Sequence, residues 1–374
     1  MNYIVSKSYT ENTANANRMI AYAKGFSELR VEATFVFFSP DSEKNHYKCD
    51  LPFVKFKYYW DKWLLEGPRL RYLSFLLYVF KFVLSLRKGD NVVFLGAYDV
   101  MNYVIRLPYV RVFAEETECP DVILVNNKFH SLSYNQYIKN LKKIKGLFVI
   151  SRNLKDYFIE KGVDSNRIHI VNMFADKKRY DGLLKQSCER FIAYCGTITY
   201  GKDGVDDLIK AFQIVHQTED NIKLYIIGPF LDEETSVKCK ELVARLQLSD
   251  WVVFKGVIPY TQLPQMLVNS ELLLLARPDN IQAKYGFPTK LGEYLLTGNP
   301  VVVTDVGNIK DFLKDGQSAY ITTPNNYQDF ASKIIEAFLD YPHSLSIGDE
   351  GRRVALLHFN NVRETNKIVK VLNK

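Results

Sequence analysis

The sequence predicts an α/β protein built on parallel sheets, and three observations carry that expectation. Short apolar runs bounded by turn residues alternate with stretches of helical period along the whole chain. The alternation lapses across the charged, irregular stretch Asp176 to Arg190 and then restarts. Length agrees, because 374 residues at roughly 150 per domain make two domains.

In the first half, strands are predicted at Met1 to Ser6, Val31 to Phe38, Asn91 to Leu95, Val110 to Ala114, Val122 to Leu124, Leu147 to Ile150 and Ile168 to Val171. Each is an apolar run of strand length with turn residues beside it, as buried parallel strands read. Apolar residues at helical spacing place helices at Asn15 to Leu29, Arg71 to Leu86 and Leu154 to Glu160. After the linker, strands are expected at Phe191 to Tyr194, Lys223 to Ile227, Val252 to Phe254, Leu272 to Ala276, Pro300 to Thr304 and Ala319 to Ile321. Helices alternate with them at Val205 to Val215, Glu233 to Leu246, Leu263 to Asn269, Lys290 to Thr297, Ile309 to Asp315 and Tyr327 to Ala337.

Composition narrows the class. With 47% hydrophobic and 24% charged residues, 19 Gly and 13 Pro, the chain is of globular type, which excludes disorder, collagen and coiled coil. The five cysteines are an odd number with no C-x-x-C pair and no neighbouring His cluster, so neither a disulfide framework nor a zinc site is implied. That usage fits a reducing compartment. The amino terminus lacks the pattern of a signal peptide and no apolar run reaches the roughly 18 residues of a membrane span, so the expected location is cytoplasmic. A net charge of +7 is compatible with nucleic acid, an anionic membrane surface or a phosphorylated substrate. The segment Arg69 to Lys88 is aromatic-rich with basic ends. It reads either as a buried helix feeding the strand at Asn91 or as a helix in peripheral contact with a bilayer.

Two stretches carry chemistry. In the first, the strand ending at Tyr194 runs into Cys195-Gly196-Thr197-Ile198-Thr199-Tyr200-Gly201-Lys202-Asp203-Gly204 and then a helix. Its glycines permit a tight turn, the helix start offers unpaired N–H groups to an anion, and Lys202 adds a charge. The loop is neither G-x-G-x-x-G nor a Walker A sequence, so it reads equally as a plain turn. The second stretch, Arg277 to Val303, leaves a strand's carboxyl end through Tyr285-Gly286-Phe287-Pro288 into a short helix bearing Lys290 and Glu293. One turn apart on one face, those two can meet a phosphate and a diol, or simply pair with each other at the surface.

The segments GTITYGKDGVDDLIKAF, KLYIIGP, KGVIPYTQLPQML and GFPTKLGEYLLTGNPVV together resemble the carboxyl-terminal domain of the retaining family 4 glycosyltransferases, the glycosyl transferases group 1. FVISRNLKDYFIEKGVDSNRIHIVNMFAD is similar to the end of that family's amino-terminal domain. The resemblance implies a GT-B fold, two Rossmann-like domains facing a central cleft. Residues 1–175 would bind the acceptor, 176–355 the nucleotide-sugar, and a helix within 356–374 would return to the first domain.

Carried over by position, it implies a metal-independent, retaining hexosyltransferase with no cofactor. Gly196, Thr197 and Lys202 would line the donor diphosphate, Glu293 would hold the ribose hydroxyls, and the backbone of Gly286 and Phe287 would meet the sugar. Lys202 and Lys290 would be the catalytic cations. Thr197 stands where the family has arginine, and Tyr285 where it has the first glutamate of a pair. Glu115, Glu116 and Glu118 follow a predicted strand and read as a solvated loop, with Glu118 matching an acidic acceptor-side position. The implied partners are a UDP- or GDP-sugar and a glycan or lipid-linked acceptor of cell-surface polysaccharide synthesis, with peripheral contact to anionic membrane and no nucleic acid.

Two other readings compete. A nucleotide-sugar 2-epimerase of the same fold would need carboxylates and histidines together, whereas His130 stands alone. A basic protein binding membrane or nucleic acid would use Lys139, Lys142, Lys143, Lys145 and Lys155, which follow helix spacing with no aromatic side chains interleaved.

Overall fold

In the computed structural model, which describes residues 1–7, 14–38, 50–59, 68–122, 134–200 and 203–374 (14 and 68–71 by backbone alone), the chain forms two compact units. Met1–Asn172 and Asn361–Lys374 make the first, Met173–Asn360 the second.

The first unit runs β1 (Asn2–Ser6), α1 (Ala14–Glu28), β2 (Ala33–Phe37), β3 (Val54–Tyr58), α2 (Pro68–Ser85), β4 (Asn91–Leu95), α3 (Tyr98–Val104), β5 (Arg111–Glu116), α4 (Tyr134–Leu141), β6 (Gly146–Val149), α5 (Arg152–Glu160) and β7 (Ile168–Ile170). Its strands pair in parallel in the order β3-β2-β1-β4-β5-β6-β7, so the order reverses between β1 and β4. β1, β2, β4 and β5 supply a fully buried apolar centre that includes Val5, Phe35, Phe94 and Phe113.

Several elements depart from expectation. β3 was not expected; Val54, Phe56 and Tyr58 alternate with Lys55 and Lys57, the pattern of a half-exposed edge strand protected by lysines. Of the strand expected at Val122 to Leu124, only Val122 is among the described residues; it is helical together with Pro120 and Asp121, and β5 pairs directly with β6. β5 itself continues past Ala114 through Glu115 and Glu116, both buried, so these two carboxylates are not a solvated loop. Only Glu118 is exposed.

Helix α2 divides its apolar residues between two faces. Val79 and Phe82 are buried, as is Leu86 just past the helix end, while Leu73, Leu77, Phe80 and Leu84 recur at helical spacing with exposures of 47% to 68%. It is therefore not the simply buried helix that one sequence reading offered. No described helix is long and apolar enough to cross a membrane.

The second unit continues with β8 (Phe191–Cys195), α6 (Val205–His216), β9 (Lys223–Ile227), α7 (Glu233–Arg245), β10 (Val252–Gly256), α8 (Leu263–Asn269), β11 (Leu273–Leu275), α9 (Ile281–Tyr285), α10 (Thr289–Leu296), β12 (Val301–Thr304), β13 (Tyr320–Thr322), α11 (Tyr327–Leu339) and α12 (Tyr341–His358). The sheet is parallel in the order β10-β9-β8-β11-β12-β13, reversing between β8 and β11. The helix expected at Ile309 to Asp315 shrinks to a 3-10 turn at Ile309–Asp311, because Asp315 instead bridges Ala319 and accepts from the Ile321 N–H at 2.8 Å.

The last helix, α13 (Asn361–Leu372), returns to the first unit and lies on α1. Gly25 makes the approach possible, since a Cβ there would lie 2.2 Å from Thr365 Oγ1. Asn361 donates to the Ala21 carbonyl at 3.2 Å, and Arg111 Nη1 donates to the Leu372 carbonyl at 2.8 Å. The buried Glu364 carboxylate accepts from the Asn172 N–H at 2.8 Å, tying together the two points where the chain leaves and re-enters this unit.

Candidate functional site

Ligands of open α/β sheets gather at the carboxyl ends of the strands where strand order reverses. In the second unit that place is the end of β8 beside β11, and the residues there are those of the two chemical stretches. Leaving β8, Gly196 donates to the Ile227 carbonyl at 2.8 Å and Ile198 to the Pro229 carbonyl at 2.8 Å, so the loop is held against the end of β9. A Cβ on Gly228 would sit 2.0 Å from the Gly196 carbonyl oxygen, and its φ of +132° suits glycine.

Gly204 caps α6 with φ +70°, where a Cβ would meet the Ala276 carbonyl oxygen at 1.6 Å. Only glycine admits this approach, which presses the start of α6 onto the end of β11. The first turn of α6 carries Asp206 and Asp207, and Lys210 reaches them at 3.4 and 2.9 Å. Those carboxylates already complement the helix dipole, so an anion in the loop must draw mainly on side-chain cations.

Helix α10 supplies one. Lys290 extends to the end of β8, donates to the Tyr194 hydroxyl at 2.7 Å and lies 4.6 Å from that ring's centroid. Its ammonium rests on Gly196, where a Cβ would be 1.9 Å from Nζ. Tyr294, a turn further along, accepts from the Cys195 N–H at 2.6 Å and fixes α10 to the same strand end. Burial pushes the Cys195 thiol up to about 12, so it is no nucleophile at neutral pH.

Glu293 accepts a hydrogen bond from Arg179 Nη1. Arg179 lies against the Tyr260 ring, 3.6 Å from its centroid, and donates to the Tyr260 carbonyl at 2.9 Å. Lys290 and Glu293 thus point to different partners and are not the surface pair that their spacing also allowed. Burial raises the Glu293 carboxyl above the usual range while the Arg179 guanidinium opposes that shift. The side chain keeps 21% exposure, enough for a ligand to reach it.

α9 is capped by Asn280, which accepts from the Ala283 N–H at 2.8 Å, and ends at Tyr285 and Gly286. The Phe287 ring turns inward against Phe312 at 5.5 Å and Phe359 at 5.4 Å, so what Gly286 and Phe287 can offer a ligand is backbone. Gly196, Thr197, Lys290, Glu293 and the 285–287 turn therefore all belong to the second unit, with Gly196 and Lys290 in contact. Lys202 and His130 lie outside the described residues. Sequence reasoning missed Tyr194, Arg179, Tyr260 and Tyr294. Arg179 sits in the irregular linker, where nothing local marks it.

Glu118 belongs to the first unit, just past β5. The buried carboxylates before it are occupied: Arg18 donates to both oxygens of Glu115, at 3.1 and 2.7 Å, with Tyr22 as a further donor. The Tyr98 hydroxyl lies 2.9 and 2.7 Å from the two Glu116 oxygens, and burial pushes the Glu116 carboxyl up to about 8 against those hydrogen bonds. Among the described residues no three His, Cys, Asp or Glu side chains gather into a possible metal site.

Residues 164–354, about half of the chain, match the family Glycosyl transferases group 1. The capsular polysaccharide biosynthesis glycosyltransferase CapM of Staphylococcus aureus is 24% identical over 233 residues, 62% of this chain and 56% of CapM. The N-acetyl-alpha-D-glucosaminyl L-malate synthase of Bacillus anthracis is 26% identical over 157 residues, 42% of this chain and 38% of that protein. The chain thus spans about half or less of the length of these relatives. Among solved structures, Anabaena HepE in complex with UDP aligns over 100% of this chain and 99% of its own at TM-score 0.74 and 16% identity. TarM of S. aureus, solved with UDP and glycan ligands, aligns over 100% of both chains at TM-score 0.76 and 12% identity. The fold is that of these GT-B glycosyltransferases, two parallel sheets each flanked by helices.

Proposed function

The chain belongs to the glycosyl transferases group 1, and on that premise we propose that it moves a sugar, with retention, from a UDP- or GDP-linked donor to a glycan or lipid-linked acceptor of cell-surface polysaccharide synthesis. The observation that carries this reading is the Lys290 ammonium seated on Gly196 at the switch point of the second sheet. A nucleoside diphosphate leaving group gains negative charge as the bond from the sugar carbon to its oxygen breaks. A fixed cation beside that oxygen stabilises the transition state more than the ground state.

In this reading Lys290 and Lys202 hold the diphosphate along with the Gly196 and Thr197 backbone. Glu293 accepts from the ribose hydroxyls, and Tyr285 and the backbone of Gly286 and Phe287 border the sugar. Arg179 orients Glu293 and opposes the upward push of burial on its carboxyl. Glu118 borders the acceptor, whose hydroxyl attacks the sugar carbon from the face that the leaving group vacates and passes its proton to the departing diphosphate oxygen. With the diphosphate charge met by lysines, no divalent ion and no cofactor is needed.

The exposed stripe of Leu73, Leu77, Phe80 and Leu84, flanked by exposed Lys81, Arg87 and Lys88, supports a cytoplasmic protein resting on an anionic membrane face. A panel of UDP- and GDP-sugars tests the main reading. At least one is expected to release nucleotide when a glycan or lipid-linked acceptor is added, whereas turnover of donor without acceptor would favour the epimerase. Phosphatidylglycerol vesicles, and not phosphatidylcholine ones, should retain the protein, and Leu77→Glu with Phe80→Glu should free it.

A further inference from the structure

The first unit has its own switch point, between β1 and β4, and a pocket of about 970 Å³ opens there. Lys7 follows β1, Phe38 follows β2, and α2, α3 and α4 close the sides. The volume lies within the roughly 300–1,000 Å³ of small-molecule sites. Its walls join cations to aromatic rings. Lys7, Arg106, Lys139 and Lys143 come from three separate places in the fold, and Asp99 is the carboxylate among the lining residues. Each of the four cations is exposed, and none has an ion-pair partner among the described residues.

The aromatic side is built from Phe38, buried to 1%, with Phe75 edge-on to it at 6.4 Å. Tyr72 and Tyr103 add two phenols to the lining, and the neighbouring Tyr72 raises the Tyr103 hydroxyl above its ordinary value. Below them an amide chain fixes α4 to α3: Gln136 donates to Asn140 at 2.9 Å and Asn140 to Asn102 at 2.6 Å. This is a held, concave site with an excess of positive charge and flat apolar faces.

We propose that this pocket binds the phosphate-bearing end of the acceptor, its lysines and Arg106 taking the phosphate and its rings the apolar face of the attached sugar. The inference rests on reading the chain as a glycosyltransferase and adds the acceptor's chemical class. Lysine ammoniums act on phosphate as point charges from several directions, and arginine adds a directional fork. The aromatic wall and bounded volume favour a small phosphorylated glycan over an extended polyanion.

The test titrates the full chain, saturated with UDP, with glucose 1-phosphate and with methyl α-glucoside. In parallel arms it uses phosphatidylglycerol and phosphatidylcholine vesicles. Glucose 1-phosphate is expected to bind at least about tenfold more tightly than the neutral glucoside, and Lys139→Gln with Lys143→Gln to remove that advantage. If only phosphatidylglycerol binds, and the double variant loses it while keeping its melting temperature, the phosphate is a lipid headgroup and the pocket stands. Equal binding of phosphate and neutral probes in both arms, or unchanged binding by a double variant that Lys139→Arg with Lys143→Arg merely matches, overturns the proposal. UDP and GDP affinities, which concern the second unit, are measured on the same protein. Absence of both UDP and GDP binding alongside retained phosphate binding removes the transferase reading and leaves the pocket.

Discussion

Lys290 and Gly196 compete for one volume: a methyl carbon added at Gly196 would lie 1.9 Å from the lysine nitrogen and 2.0 Å from its Cε. The glycine is there to admit the ammonium. The Tyr194 hydroxyl and ring beside it hold the charge in place, so the cation is positioned before any ligand arrives.

Lys290→Ala and Lys202→Ala are each expected to slow transfer by about 10² or more and to weaken donor binding less, because the charge they meet grows during bond cleavage. Gly196→Ala should reproduce the Lys290→Ala loss without touching the lysine. Steady-state kinetics with a separate donor titration checks all three. Near-normal turnover in the lysine variants would remove them from the reaction.

Glu293→Gln keeps the shape of the side chain and takes away the charge that both Arg179 and a ribose diol would use. Donor affinity should fall, by calorimetric titration. Arg179 keeps its bond to the Tyr260 carbonyl, so the melting temperature should change little. Affinity equal to that of the native chain would leave Glu293 as a purely structural partner of Arg179.

Glu116 gives the fold a pH dependence of definite sign. Its carboxyl is raised to about 8 by burial, whereas in the unfolded chain it titrates near roughly 4.3. Between those values the folded state holds a proton that the unfolded state has released. Stability is therefore full below the lower value and declines as pH rises toward the upper one, by at most about 1.4 kcal/mol per pH unit from this group. Denaturant unfolding from pH 5 to 8 should show that decline, and Glu116→Gln should flatten it. Parallel slopes in the two proteins would mean that Glu116 is ionised in the fold.

The two α/β halves and the stretches around Gly196 and Lys290 were legible because apolar runs and glycine turns are local signals. What the sequence hid are partnerships between distant positions. Glu115 resembles a solvated residue until Arg18, 97 positions earlier, is brought against it. Lys290 and Glu293 look like a helical pair until Tyr194 and Arg179 claim them separately. No aromatics interleave with the lysines near α4 along the chain. Phe38, Tyr72, Phe75 and Tyr103 arrive from other elements and share a pocket with Lys139 and Lys143. Edge strand β3 was not expected despite its alternation, because its lysines lower its apolar content below that of the core strands.

Activity is expected to be unaffected by EDTA, since lysines meet the diphosphate charge in this reading. Initial rates with excess EDTA, and after adding back magnesium or manganese, check it. A strict requirement for either ion would replace the lysine mechanism with a metal-bridged one.

Hydrogen exchange with and without a UDP- or GDP-sugar tests most directly whether the donor binds at the carboxyl end of β8. Residues 191–204 and 286–297 should show the strongest protection, and Lys290→Ala should reduce it. Protection centred elsewhere, or none with any donor that turns over, would contradict the placement of the donor on Gly196, Lys290 and Glu293.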